Sequence, residues 1–441
     1  MTFGETGELG MTFGEAGDSA ALESRESMEQ TQREAQRQAL AGVKVLDFSW
    51  AVAGPMTTKT LAVHGATVVK VESNLRLDGP RVAPPFRGKP GRNNSAYYTD
   101  INTSKYSITL NMTRPEGIDV AKRLVAWADI VAENFSPGVM GRWGLAYPDL
   151  KRIKPDIIMI SSSMQGAAGP NATHPGLGQT LGALVGINHF TGWPDREPLG
   201  LAIPYTDVIS PWFAATALLA ALEHRDRTGE GQWIDVSQFE TAVHMLAPAF
   251  IDYAANGRIQ QRVGNRSPYW SPHGVYRCKG DSPQGDWVAI AVTSDEEWEG
   301  FRRAIGASGE GWTRDERFET TLGRVRHAGD LDALVEQWTV DLTPDEAVER
   351  LQAERVPSSV VATARELHAD PQLAHIGQFV QVDHPRIGPH AHTHPAFWLS
   401  ETPAAFRPGA LIGEHNELVY KTFIDMPDDE YARLADDGVF Q

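Results

Sequence analysis

In the stretch IPYTDVISP, residues 203–211, one acid, Asp207, stands at the head of the most apolar helical run in the chain. Two chemistries are open to it. As a helix N-cap its carboxylate would accept a backbone N–H two or three residues on, a sufficient structural role. As a nucleophile it would attack an acyl carbonyl, with the helix N–H groups and the positive end of the helix dipole beside the charge that develops. The nine residues alone do not separate these readings.

Other chemistry-bearing groups are weaker. GLGQTLG, Gly176 to Gly182, approaches a dinucleotide fingerprint but misses its spacing by one residue, and no Walker A sequence is present. His384, His390, His392 and His394 fall in DHPRIGPHAHTHP, where alternate histidines on a strand face would suit a metal. Prolines 385, 389 and 395 instead point to an extended surface loop, and with no carboxylate at ligand spacing after His384 no metal is expected. The single cysteine, Cys278, rules out an internal disulfide or a CxxC site and reads as a small packing residue. Ser161 to Ser163 offer hydroxyls without a GxSxG elbow.

These groups need elements to hold them. GVKVLDFSW reads as a strand, AVAGP as a turn, PMTTKTLAVHG as a helix with Pro55 in its first turn, and ATVVKVES as a second strand. Strand–helix–strand order implies parallel pairing in an open α/β sheet, with ligands at the carboxyl ends of the strands. Those ends are residues 48–54, 72–74, 134–138 and 163–169. A helix is expected from Asp207 to His224, followed by the polar turn RDRTGEGQ and the strand and helix of WIDVSQFETAVHMLAPAF. Around residues 255–285 the sequence turns polar, aromatic and loop-rich. It then holds a strand with a Ser/Asp-capped helix in DWVAIAVTSDEEWEGFRRAIG and a capped helix with a strand in TPDEAVERLQAERVPSSVV.

The expected organisation is an extension at 1–38, which carries the near-repeat MTFGETGELG/MTFGEAGDSA, then a large α/β domain at 39–255. A small domain follows at 256–365, and a return segment at 366–441 completes the large one. At 441 residues two domains are the natural expectation. The net charge of −17 includes eight acids against three bases in residues 1–40 and eight against two in 411–441. Such a surface disfavours nucleic acid and anionic membrane as partners. No signal peptide is evident, and the longest apolar stretch, Val208 to Leu222, is short for a bilayer, so a cytoplasmic location is expected.

Taken in order, GVKVLDFSWAVAGP, GATVVKVE, NTSKYSITLN, ADIVAENFSPGVMGRWGL, PDIIMISSSMQG, the YTD segment, HRDRTGEGQWIDVS, VAIAVTSDEEW and ADPQLAHIGQFVQVDHP resemble the class III CoA-transferases. This CaiB/BaiF-type family also contains acyl-CoA racemases, and the resemblance covers about residues 40–441. It implies a Rossmann-like open-sheet domain built from both chain ends, a smaller inserted α+β domain, and an interlocked dimer. It implies that Asp207 is the nucleophile and that coenzyme A moves from an acyl-CoA donor to a carboxylic acid acceptor through aspartyl anhydride and aspartyl-CoA thioester intermediates. Coenzyme A is then a substrate, and no permanently bound cofactor is implied.

The resemblance carries coenzyme A contacts onto Val52, Ala53, Leu110, Asn111, Asn134, Phe135, Ser136, Arg142, Pro175, Gly176, Leu177 and Gly178. Arg142 is the candidate for a phosphate. Departures are informative. Val52 replaces the glutamine and Ser73 the arginine of oxalate-using members, and SPYWSPHGVY, with Tyr269 and Trp270, stands where those have a glycine-rich loop. These changes favour a less polar acyl group, and PGLG…TGWPDREP…YTD is nearest to the benzylsuccinate-type branch, some of whose members pair two related subunits. A homodimer is expected, with a heteromer as alternative. Racemases carry a His-Asp pair where Leu177 and Gly178 stand, and neither residue here moves a proton. The remaining alternatives are an acyl-CoA racemase relying on the nearby His174, and a non-catalytic CoA-binding subunit.

Overall fold

The computed structural model describes residues 38–441, so the decamer near-repeat lies outside the described residues. The chain begins with β1 (Lys44–Asp47), α1 (Ala53–Val63), β2 (Thr67–Glu72), α2 (Ala96–Ile101), β3 (Tyr106–Thr109), α3 (Pro115–Trp127) and β4 (Ile130–Glu133). It continues through α4 (Tyr147–Ile153), β5 (Ile158–Ser163), α5 (Gly178–Leu184), α6 (Tyr205–Thr228), β6 (Trp233–Ser237), α7 (Gln238–Met245) and α8 (Ala247–Asn256). The six strands form one sheet in the order β3-β2-β1-β4-β5-β6, every neighbour pair parallel. The order reverses between β1 and β4, where Val45 pairs with Ile130. A crevice therefore opens at the carboxyl ends of these two strands.

The strands read as apolar runs because both sheet faces are covered. Leu46, Val69, Ile108, Val131 and Met159 pack on one face against Val120 and Leu124 of α3 and against Val419 and Tyr420 near the C-terminus. Val45, Val68, Ile130 and Ile158 pack on the other against Leu61 of α1 and Ala214 and Leu218 of α6. The apolar run expected to be too short for a bilayer is part of α6, a 24-residue helix long and apolar enough to cross one by length and composition. Ala214, Leu218 and Ala221 are buried in this sheet-covering cluster, while Trp212, Phe213 and Leu219 of the same helix are exposed.

In the second unit β7 (His273–Cys278), β8 (Asp286–Ala291), α9 (Asp295–Ile305), α10 (Ala328–Thr339), α11 (Pro344–Ala353) and β9 (Ser358–Val360) follow one another. The antiparallel sheet β7-β8-β9 packs on Trp298 and Phe301 of α9, Val335 of α10 and Leu351 of α11. Ser294 caps α9 by accepting from the Glu297 N–H, and Thr343 with Glu346 forms a capping box on α11. Cys278 lies in this core, and burial, followed by the Asp286 charge, raises its thiol pKa to about 11.

The units are residues 38–181, 204–245 and 378–441 on one side, and Gly182–Ile203 with Leu246–Gly377 on the other. Residues 182–203 and 246–255, expected in the large domain, and 366–377, expected in the return segment, group with the smaller unit. Segment 182–203 is tied there by its backbone. The Gly264 N–H donates to Gly192 O at 3.0 Å and the Arg262 guanidinium to His189 O at 3.1 Å.

The return segment forms the hairpin β10 (Phe379–His384) and β11 (Gly388–Thr393), not the expected surface loop. Three of the four histidines there are buried: His384 at 1%, His392 at 0% and His394 at 5% exposure. The chain then rejoins the parallel sheet. The His415 N–H donates to Ser107 O at 3.0 Å, and the Asn111 N–H to Val439 O at 2.8 Å.

Candidate active site

The loop between β1 and α1 is fixed by Asn134, assigned above to coenzyme A, and by buried charges the sequence reading did not single out. Asn134, just after β4, accepts from the Trp50 N–H and donates to the Trp50 carbonyl, both at 2.7 Å, clamping the two sides of the switch point. Ala51 has φ 59°, a conformation costing a non-glycine residue about 1–3 kcal/mol. Its N–H donates to Asp78 at 2.8 Å. Lys70 donates to Ser49 O at 2.6 Å and pairs with Asp78 at 3.2 Å, while Lys105 pairs with Asp47 at 3.1 Å. All four charged side chains are at most 2% exposed, so these pairs act in a low dielectric and hold the loop rigidly.

Val52 and Ala53 follow on this loop as α1 begins. Beyond β4, the Phe135 ring meets Trp50 and Trp143 edge-on, at 6.1 and 5.5 Å between centroids. Arg76 lies over the Trp50 ring at 5.3 Å. Ser136 and Arg142 are exposed, and among the described residues Arg142 has no ionic partner. The strand ends of β1 and β4 thus bring Val52, Ala53, Asn134 and Phe135 together.

Leu110 and Asn111 stand elsewhere, after the edge strand β3 with β2 between it and β1. The Leu110 side chain is in the core, and the Asn111 amide oxygen accepts from the Thr113 hydroxyl at 2.6 Å and N–H at 3.1 Å. Pro175, Gly176 and Leu177 are exposed and lead into α5, whereas Gly178 is buried.

Asp207 is not an N-cap. The helix begins two residues earlier, with Pro204 at the cap and no side-chain capping bond, and Asp207 occupies the third helical position. Its backbone N–H already donates to Pro204 O at 2.9 Å. The carboxylate, freed from capping, lies against Gly178: an ideal β-carbon on that glycine would stand 2.7 Å from Asp207 Oδ2 and 2.5 Å from Pro204 Cβ.

Burial raises the Asp207 pKa to about 6, a rise held back by a hydrogen bond from the Gln238 amide. Tyr97 of α2 is close enough that, after burial, the Asp207 charge is the next cause pushing its phenol pKa up. Gln238 is the first residue after β6, and Tyr97 is the second residue of a short helix. The only sequence signals for them were a polar residue at a strand end and an aromatic in a polar stretch.

The histidines of the hairpin form a separate array. The Nε2 atoms of His390 and His392 stand 2.8 Å apart, within hydrogen-bond distance, His390 meets the Thr99 hydroxyl at 2.9 Å, and His392 faces Asp100 at 3.4 Å. Among the described residues, no three His, Cys, Asp or Glu side chains are grouped to hold a metal ion.

Comparison with known proteins gives this geometry a family. The chain is 31% identical over 404 residues to the succinyl-CoA–D-citramalate CoA-transferase of Chloroflexus aurantiacus, covering 90% of this chain and 96% of that one. It is 29% identical over 406 residues to the beta subunit of that organism's succinyl-CoA–L-malate CoA-transferase, covering 90% and 96%. A solved CaiB/BaiF family protein from Brucella suis superposes with a TM-score of 0.80 at 31% identity, covering 88% of this chain and 99% of that one. The profile of CoA-transferase family III matches residues 40–416, and the chain belongs to that family.

Proposed function

We propose that this CoA-transferase moves coenzyme A from an acyl-CoA to a carboxylic acid with Asp207 as the covalent nucleophile. The carrying observation is the Asp207 carboxylate itself: partly buried, in the first turn of α6, freed from capping, and held by Gln238. With a pKa near 6 it is about nine-tenths ionised at pH 7 yet more basic than an ordinary aspartate.

Asp207 attacks the donor thioester carbonyl, forming a mixed anhydride and releasing CoA thiolate. The thiolate attacks the aspartyl carbonyl, giving an aspartyl thioester and freeing the donor acid. The acceptor carboxylate attacks that thioester, regenerating thiolate and a second anhydride. Thiolate attack on the acceptor's acyl carbon then forms the new acyl-CoA and restores Asp207. Each step exchanges one activated acyl bond for another, so no ATP is required.

The crevice residues Val52, Ala53, Asn134, Phe135, Ser136 and Arg142 and the segment Pro175–Gly178 are assigned to coenzyme A, with Arg142 for a phosphate. Leu110 and Asn111 reach the ligand, in this assignment, only through their backbone. Relatives named for succinyl-CoA make succinyl-CoA the first donor to test. The acceptor is assigned as an acid less polar than oxalate, from the apolar Val52 beside the first strand end.

The assembly we propose is an interlocked homodimer. None of the residues of α8 is buried, although it carries Phe250, Ile251 and Tyr253, and a second copy is the assigned cover. A related subunit in its place is the other outcome, and mass measurement of the purified single chain decides between them.

The decisive experiment is incubation with acyl-CoA, trapping by hydroxylamine or borohydride, and peptide mass analysis. The adduct is expected on Asp207, and undiminished transfer by Asp207→Ala would refute the mechanism.

A further inference from the structure

We propose that Gln238 is a two-sided positioning residue: its amide N–H orients the Asp207 carboxylate, and its Oε1 accepts the amide N–H that lies nearest the sulfur of the incoming acyl-CoA. The inference rests on the transferase reading above and adds a contact to it.

Gln238 is only 6% exposed, yet its Oε1 is fully enclosed and has no hydrogen-bond partner. Buried acceptors of this kind are nearly always satisfied, so an unpaired one calls for a donor from outside the chain, and we assign that donor to the ligand. Gln238 is also the hydrogen-bonding partner that lowers the Asp207 pKa, so one side chain carries both the contact to the nucleophile and the unpaired oxygen.

The surroundings point the same way. Ser163, which ends β5 and pairs in register with Ser237, has an unpartnered buried hydroxyl. So do Thr206 and Ser210, which flank Asp207 on α6. Unsatisfied polar atoms thus occur at the carboxyl ends of two adjacent strands and along the first turns of α6, all at the end of the sheet where ligands bind. Serine and threonine hydroxyls rotate to suit either partner, whereas Oε1 is acceptor-only and demands a donor.

The chemistry of an acyl-CoA restricts what that donor is. The thioester sulfur and carbonyl are acceptors. The nearest N–H is the cysteamine amide, two methylene groups from the sulfur. A thioester placed for attack by Asp207 therefore brings that N–H to the residue that holds Asp207. Binding and alignment become one event, because the bond to Oε1 stiffens the amide whose other end aims the nucleophile.

The test uses the full chain and pairs of truncated thioesters of one acid, succinyl first and benzoyl as a second series. The N-acetylcysteamine thioester keeps the N–H, and the 2-acetoxyethyl thioester replaces only that N–H by oxygen. Wild type is expected to favour the first by about tenfold or more in kcat/KM. In Gln238→Leu the preference is expected to fall to about one, and the acid limb of the pH profile to move to higher pH. A purely structural role for Gln238 predicts neither change.

Equal use of the two thioesters by wild type overturns the proposal without any variant, as does a preference that persists in Gln238→Leu. Both outcomes leave trapping on Asp207 intact. Absence of any trapped Asp207 adduct in wild type instead defeats the transferase reading and this inference with it.

Discussion

Gly178 and Asp207 are packed so closely that a β-carbon on the first would stand 2.7 Å from Oδ2 of the second and 3.0 Å from its Cγ. The glycine acts as the wall that sets where the nucleophile points. No proton-transferring side chain at 178 is compatible with this position of Asp207, which leaves a racemase only His174 as its second base. Gly178→Ala is expected to turn the carboxylate away and lower kcat by about 10²-fold, as for a displacement on the order of 1 Å. The melting temperature should fall as well, because the added methyl would also stand 2.5 Å from the Pro204 Cβ and force that ring to shift. Steady-state kinetics alongside thermal melts checks both, and full activity would refute the wall.

The Asp207 pKa makes a pH profile and a stability difference that run in opposite directions. The nucleophile must be ionised, so kcat/KM is expected to rise through about pH 6 and level off above pH 7. Stability has the reverse sign. A folded pKa above the unfolded one means that stability is fully present below about pH 4 and lost as pH rises through about 6. Asp207→Asn, neutral at every pH, should therefore be more stable than wild type at pH 8 by about 1–2 kcal/mol, after allowing for partial solvent contact. The gap should vanish near pH 4, and denaturant titrations at the two pH values measure it.

Lys70 and Asp78 carry the strained loop between β1 and α1. Lys70→Met removes the partner of a buried acid and should cost about 3–5 kcal/mol. Because the same lysine holds Ser49 O, KM for the acyl-CoA is also expected to rise while Asp207 trapping persists. The double change Lys70→Met with Asp78→Leu should recover part of the stability, and a double-mutant cycle in urea gives the coupling. Additivity of the two changes would refute the pairing.

The hairpin histidines predict acid lability. Burial, then neighbouring histidine charge, holds both His384 and His390 below the usual imidazole pKa. Their contribution is fully present above the unfolded histidine value of about 6.5 and is lost as pH falls through the lower folded values. The urea midpoint should thus drop between pH 7 and pH 5, beyond what Asp207 protonation adds in the opposite direction. His390→Gln should flatten that drop, and an unchanged slope would refute the assignment.

Much of the fold was legible in the residues. Unbroken apolar strands alternating with helices required a parallel sheet covered on both faces, and the passage to a second unit was visible near residue 255. Capping residues at Ser294 and Thr343 announced their helices because capping is a local interaction. The histidine hairpin was not legible. Its prolines fit a loop as well as an edge hairpin, and burial of His392 beside Asp100 comes from packing 292 residues apart in the chain.

The sequence by itself determined the chemistry on offer: one aspartate at the head of an apolar helix, a sheet whose strand ends would face it, and an ordered set of segments resembling one family. What that aspartate does locally was decided only in three dimensions. Starting α6 at Tyr205 takes Asp207 off the cap, Gly178 presses on its carboxylate from α5, and Gln238 reaches it from the end of β6. Capping depends on neighbours three residues apart, which a sequence displays. The position and basicity of the carboxylate depend on atoms from segments up to 31 residues away, brought together only when the sheet closes its core.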